Sequence, residues 1–97
     1  MAESKRYRNE ARDEREIKML KNRLHRMIGQ MQGIEKMIDE GRYCGDIILQ
    51  IGALESALQS FGYMLLNEHL HCCVVNDIHT GKTETMDEVM ELIKKLK

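Results

Sequence analysis

Apolar side chains recur in this chain at three- and four-residue steps, and no proline interrupts them anywhere. That spacing constrains the fold more than any other feature. Ile17, Leu20, Leu24, Met27 or Ile28, Met31, Ile34 and Ile38 fall on one face of a helix, whose turn takes about 3.6 residues. Lys18, Lys21, Arg23, Arg26 and Lys36 lie elsewhere on the same helix. Gly29 and Gly33 interrupt the stretch, each at a cost of about 1 kcal/mol relative to alanine. Close helix packing is the expected compensation. Glu40-Gly41-Arg42 supplies a stop, because glycine takes the left-handed backbone of a C-terminal cap at little cost.

A second helix is predicted from near Gly45 to near His79. Ile47, Ile48, Ile51, Leu54, Leu58, Phe61, Leu65 and Leu66 form its core face. The small residues Gly52, Ala53, Ser56, Ala57 and Gly62 between them let another helix approach closely. Thr80-Gly81-Lys82-Thr83 breaks this helix, and a short third one follows with Met86, Val89, Met90, Ile93 and Leu96 apolar. The expected helices are thus about 15–40, 45–79 and 84–96, within a single all-helical domain over 15–97. Residues 1–14 alternate charges without an apolar stripe and read as a flexible tail.

With one phenylalanine, no tryptophan and eight methionines in 97 residues, the composition suits helices and is poor material for strands. The methionines lie at core spacing and read as packing. The second helix would be ~50 Å long, and the third covers little of it. A three-helix protomer of this kind cannot close a core alone. The fold class expected is all-α, with an antiparallel dimer forming a four-helix bundle.

The formal net charge of −1 hides an asymmetry. Residues 1–42 carry eleven Lys/Arg against eight Asp/Glu, and residues 43–97 carry four against eight. A basic front half can meet a polyanion, with a field that becomes substantial when several chains pool it. Three cysteines, two of them adjacent, do not make a secreted disulfide framework. There is no signal peptide and no apolar run long enough to span a bilayer. The expected compartment is a reducing cytoplasm, with thiols kept free for metal or redox chemistry.

A cysteine at a helix start is ordinarily a small packed residue, and a lone histidine is ordinarily surface, as His25 and His79 are read here. His69-Leu70-His71-Cys72-Cys73 is different: it sets two imidazoles and two thiols within five residues. His69 and Cys73 are four apart and project from one helix face. Cys44 sits at the far end of the same predicted helix, about 37 Å away along the axis, so within one chain it cannot join them. An antiparallel crossing of two copies near Leu58 brings Cys44 of one chain beside residues 69–73 of the other. Two thiolates and an imidazole make a soft, three-coordinate set that suits Cu(I). Zn(II) ordinarily takes a fourth ligand, which Cys72 or His71 could supply, so zinc stays open as the less favoured ion.

Tyr43-Cys44, Glu68-His69-Leu70 and Cys73 on a chain of this length resemble the copper-sensing operon repressors, the CsoR family. The resemblance runs from about Lys21 to the end and takes in Asn22-Arg23-Leu24, Gly29-Gln30, Gly33-Ile34 and Gln50-Ile51. It implies a bacterial, cytoplasmic dimer of dimers that binds operator DNA in the apo form and is released allosterically by Cu(I). It implies Cys44, His69 and Cys73 as ligands, with Tyr43 and Glu88 supporting the coordinated imidazole. For DNA it implies Arg23, to which Arg15, Lys18, Lys21 and Arg26 are added from the same half of the first helix. A second basic position of the family, in the middle of helix 2, is Gln59-Ser60 here. Nickel and cobalt sensors of this kind carry histidine where Cys73 stands, and persulfide sensors lack a counterpart of His69.

The function expected is a Cu(I)-responsive transcriptional repressor and not an enzyme: no oxyanion site or third group accompanies the Cys/His pair. Its partners would be operator DNA and copies of itself, with no membrane and no small-molecule substrate. Two alternatives remain: a persulfide- or thiol-redox-sensing repressor using Cys44 and Cys73, and a metal-binding helical bundle without a DNA role.

Overall fold

The computed structural model describes residues 5–8, 11–71, 79, 81 and 84–96. They form three helices and, among the described residues, no strand: α1 (Glu14–Asp39), α2 (Cys44–His69) and α3 (Glu84–Lys95). The protomer is all-α, as the apolar spacing requires. Residues 72–78, expected to continue the second helix, lie outside the described residues.

The helix ends follow from local chemistry. Asp13 caps α1, its Oδ1 accepting from the Glu16 backbone N–H at 2.8 Å, with Glu14 and Glu16 favourably placed in the first turn. At the other end Gly41 adopts φ +68°. Its N–H donates to Ile38 O at 3.1 Å while Arg42 N–H reaches Met37 O at 3.0 Å. These paired bonds form a Schellman motif, which satisfies carbonyls the helix would otherwise leave open. Two residues later the Tyr43 carbonyl accepts from Asp46 and Ile47 N–H, at 3.1 and 3.3 Å, and α2 begins.

Met27 of α1, Leu54 of α2 and Val89 of α3 are buried, at 7, 8 and 3 % exposure. Each helix thus contributes one buried side chain, and no other described side chain is buried as deeply. Gly62 lets α3 approach, since a Cβ there would collide with the Leu96 side chain. Gln59 Nε2 donates to the Leu96 carbonyl at 2.8 Å and pins the same end.

Much apolar surface remains open. Ile28, Met31 and Ile38 on α1 and Ile48, Leu49, Ile51 and Leu58 on α2 are exposed. Met31, Ile34 and Ile38 face Ile51 and Leu54 across a groove of about 420 Å³. Gly29, Gly33 and Gly52 meet nothing within 4 Å, so the close packing expected to compensate them does not occur inside the protomer. The radius of gyration is 17.6 Å, against about 12.5 Å for a compact chain of this length. Such a protomer leaves much of its apolar surface uncovered.

Candidate metal centre

Cys44 is the first residue of α2 and His69 the last, and the helix between them is continuous over 26 residues. Cys44 is a free, exposed thiol, held at the helix start by the backbone bonds to Tyr43. His69 is half-buried, and its Nε2 is buried with no hydrogen-bond partner among the described residues. A buried, unsatisfied imidazole nitrogen costs about 1–3 kcal/mol, so its retention calls for a partner that the described residues do not supply. Twenty-five residues of helical rise separate the two side chains by about 37 Å. Among the described residues of one chain, no group of three or more His, Cys, Asp or Glu side chains assembles. Cys72 and Cys73 lie outside the described residues. His71 is exposed, just past the α2 C-terminus.

The donor set fits a soft ion: a free thiol, and an imidazole nitrogen withdrawn from water without a protein partner. Tyr43 is 75 % exposed, and its ring fills the space that a Cβ on Gly45 would need. Glu88 of α3 is engaged elsewhere, its Oε2 accepting from Arg6 Nη1 at 3.2 Å. Glu68, next to His69, accepts from Arg12 Nη2 at 3.0 Å, and this pair is partly buried. The non-helical residues before α1 thus run across the end of α2 that carries His69. Sequence reasoning did not foresee either ion pair. Partners 56 and 82 residues apart leave no periodic signal in a chain.

The basic residues of α1 divide into two kinds. Arg15, Lys18, Lys21 and Arg26 are exposed. Arg23 is half-buried and turned onto α2: Nη1 donates to Met64 Sδ at 3.2 Å, Nη2 to Ser60 Oγ at 3.5 Å. Its guanidinium carbon lies 5.8 Å from the Phe61 ring centroid, within reach of a cation–π contact. Gln59 and Ser60, where the resemblance leads one to expect a cation, hold α3 and Arg23 respectively. His25 and His79, read as surface residues, are exposed.

No helix among the described residues is long and apolar enough to cross a membrane. The family model described as metal-sensitive transcriptional repressor matches residues 16–95. The chain is 38% identical over 82 residues to the copper-sensing transcriptional repressor CsoR of Bacillus subtilis (strain 168), covering 84% of this chain and 81% of that one. It is 48% identical over 59 residues to the copper-sensing transcriptional repressor RicR of Mycobacterium tuberculosis (strain ATCC 25618 / H37Rv), covering 61% and 62%. Among solved structures it resembles the copper-sensing repressor CsoR with Cu(I) from Geobacillus thermodenitrificans NG80-2. That likeness has a TM-score of 0.83 and 38% identity, over 91% of this chain and 93% of that one. The nickel-responsive transcriptional regulator InrS shares the fold, with a TM-score of 0.73 at 22% identity, over 92% of this chain and 99% of that one. A copper-sensing and a nickel-responsive protein thus share one fold, so the fold by itself does not name the metal. By its helices and by a family match that spans most of its length, the chain belongs to the metal-sensitive transcriptional repressors.

Proposed function

We propose that this chain is a Cu(I)-responsive repressor that holds operator DNA in its apo form and releases it when the metal binds. The observation that carries the reading is the pair of ends of α2: a free thiol at Cys44 and a buried Nε2 at His69 that has no partner among the described residues, on one continuous rod. Cys44 of one subunit with His69 and Cys73 of its partner would hold the ion. Bound there, Cu(I) ties the start of one α2 to the end of another. Sulfur donors favour Cu(I) over Zn(II), which would need Cys72 or His71 as a fourth ligand. The copper-sensing relatives support the same choice of ion.

The oligomer is a dimer built on the exposed faces of α1 and α2, paired again into a tetramer that pools the cations of α1. Arg15, Lys18, Lys21, Arg23 and Arg26 would meet DNA. Tyr43 and Glu88 would support the metal-bound imidazole. Glu88 also accepts from Arg6 through Oε2, so the same carboxylate would link the tail to the site. The protein would work in the bacterial cytoplasm, where thiols stay reduced.

Fluorescence anisotropy with DNA from upstream of the protein's own gene tests the reading. The apo protein should bind, and about one Cu(I) per chain should lower its affinity by a factor of ten or more, a coupling of roughly 1–3 kcal/mol. Unchanged affinity at copper saturation overturns it. X-ray absorption should report two sulfurs and one nitrogen around copper in the wild type, with the nitrogen lost in His69→Ala.

The free thiol at Cys44 also suits a persulfide sensor that joins it to Cys73 of another chain. Mass spectrometry after persulfide treatment distinguishes the two: a covalent dimer favours sulfur sensing, and its absence with tight copper binding removes it.

A further inference from the structure

Arg23, Arg26, Met27 and Gln30 of α1, with Ala57 of α2, line a cleft of about 180 Å³. Two arginines and one glutamine are among its five lining residues, and no acidic residue is. Neither Arg26 nor Gln30 has a hydrogen bond or ion pair among the described residues. Arg23 is different, since Met64 Sδ, Ser60 Oγ and the Phe61 ring hold its guanidinium. Those bonds use two of its five N–H groups and leave three for a ligand. One held cation, one cation without a partner among the described residues and a neutral donor at a small cleft suit a tetrahedral oxyanion, which accepts several hydrogen bonds at once.

We infer that this cleft seats one backbone phosphate of DNA, with Gln30 donating to it and Ser60, Phe61 and Met64 orienting Arg23 toward it. The inference rests on the reading of the chain as a DNA-binding repressor and adds to it a residue, Gln30, that charge alone would not select. It also gives α2 a part in DNA binding without a cation of its own. Ser60 and Met64 reduce the motional freedom that Arg23 would lose on meeting a phosphate, which is preorganisation.

Two measurements on the full chain test this. In the first, inorganic phosphate is titrated into the apo protein while the Gln30 side-chain amide and Arg23 Nε resonances are followed. Both should shift saturably, and sodium chloride at equal ionic strength should not reproduce the shift. An absent or equal response overturns the inference, whatever the protein does with DNA. In the second, DNA affinity is measured against salt. Gln30→Leu should weaken binding about tenfold with an unchanged salt slope, because no charge is lost. Arg26→Gln should reduce the slope by about 0.9 for each cleft engaged. Phosphate-induced shifts with undiminished DNA binding by Gln30→Leu would assign the cleft to free oxyanions and overturn the DNA phosphate. A wild type that binds no DNA sinks the repressor reading instead, and the phosphate titration still reports on the cleft.

Discussion

Gly41 illustrates how much a single residue contributes. Its φ of +68° lies where side chains with a Cβ are strained, and its N–H closes the Schellman pair at the end of α1. Gly41→Ala should therefore lower stability by about 1–2 kcal/mol, read as a reduced urea midpoint with an unchanged m-value. A midpoint equal to the wild type would mean that the cap matters little. The stop at Gly41 was legible in the sequence because the conformation is chemically exclusive. The partners of Arg6 and Arg12 were not, because any acidic residue in the chain could have met them.

Among the elements, α2 does most to determine function. Its continuity from Cys44 to His69 keeps the two candidate donors apart, so an ion held by both, as proposed, would have to bridge chains. The third helix depends on α2 in turn. Leu96 packs over Gly62, and the Leu96 carbonyl accepts from Gln59. Gln59→Ala should leave that carbonyl without its partner and loosen the end of α3. Hydrogen exchange should quicken by a few-fold in the last turn of α3 and stay unchanged in α1. Equal protection in both proteins would assign the docking to Leu96 and Gly62 alone. Helix periodicity revealed all three elements. It did not reveal that the glycines split into two groups, Gly62 against α3 and Gly29, Gly33 and Gly52 facing open space.

At the scale of the whole molecule, the protomer leaves apolar surface open, and on the proposed reading its donor set is incomplete as well. The groove between α1 and α2 and the exposed Ile48 and Leu58 call for a second copy. The melting temperature should then rise with protein concentration, as association stabilises the folded chain by mass action. Ile48→Glu should yield a monomer by sedimentation that has lost tight Cu(I) binding. A monomer that still binds copper tightly would rule out a bridging site. Mixed subunits give a sharper test. Cys44→Ala and His69→Ala proteins should each fail to bind Cu(I) tightly. Refolded together in equal amounts, they should recover about a quarter of the sites, since each mixed antiparallel dimer carries one intact set. No recovery would count against donors contributed by two chains.

By itself the sequence determined the helices, the stop of α1 at Gly41 and the chemical character of the candidate donors, while the second helix, expected to run to near His79, is described as α2 only to His69. Each of these depends on neighbours within a turn or two, and the 3.6-residue repeat, glycine at φ > 0 and the softness of sulfur act at that range. The length of a helix also follows from residue count, so the separation of Cys44 from His69 was readable before any fold was known. Only the tertiary structure decided what lies across from what. Arg23 could have reached solvent, and it instead lies on Ser60, Phe61 and Met64. His69 could have found a hydrogen bond, and its Nε2 is instead buried without one among the described residues. Contacts between helices depend on the relative rotation and crossing of whole rods. Many side-chain pairs share in setting that crossing, and no single spacing in the chain encodes it.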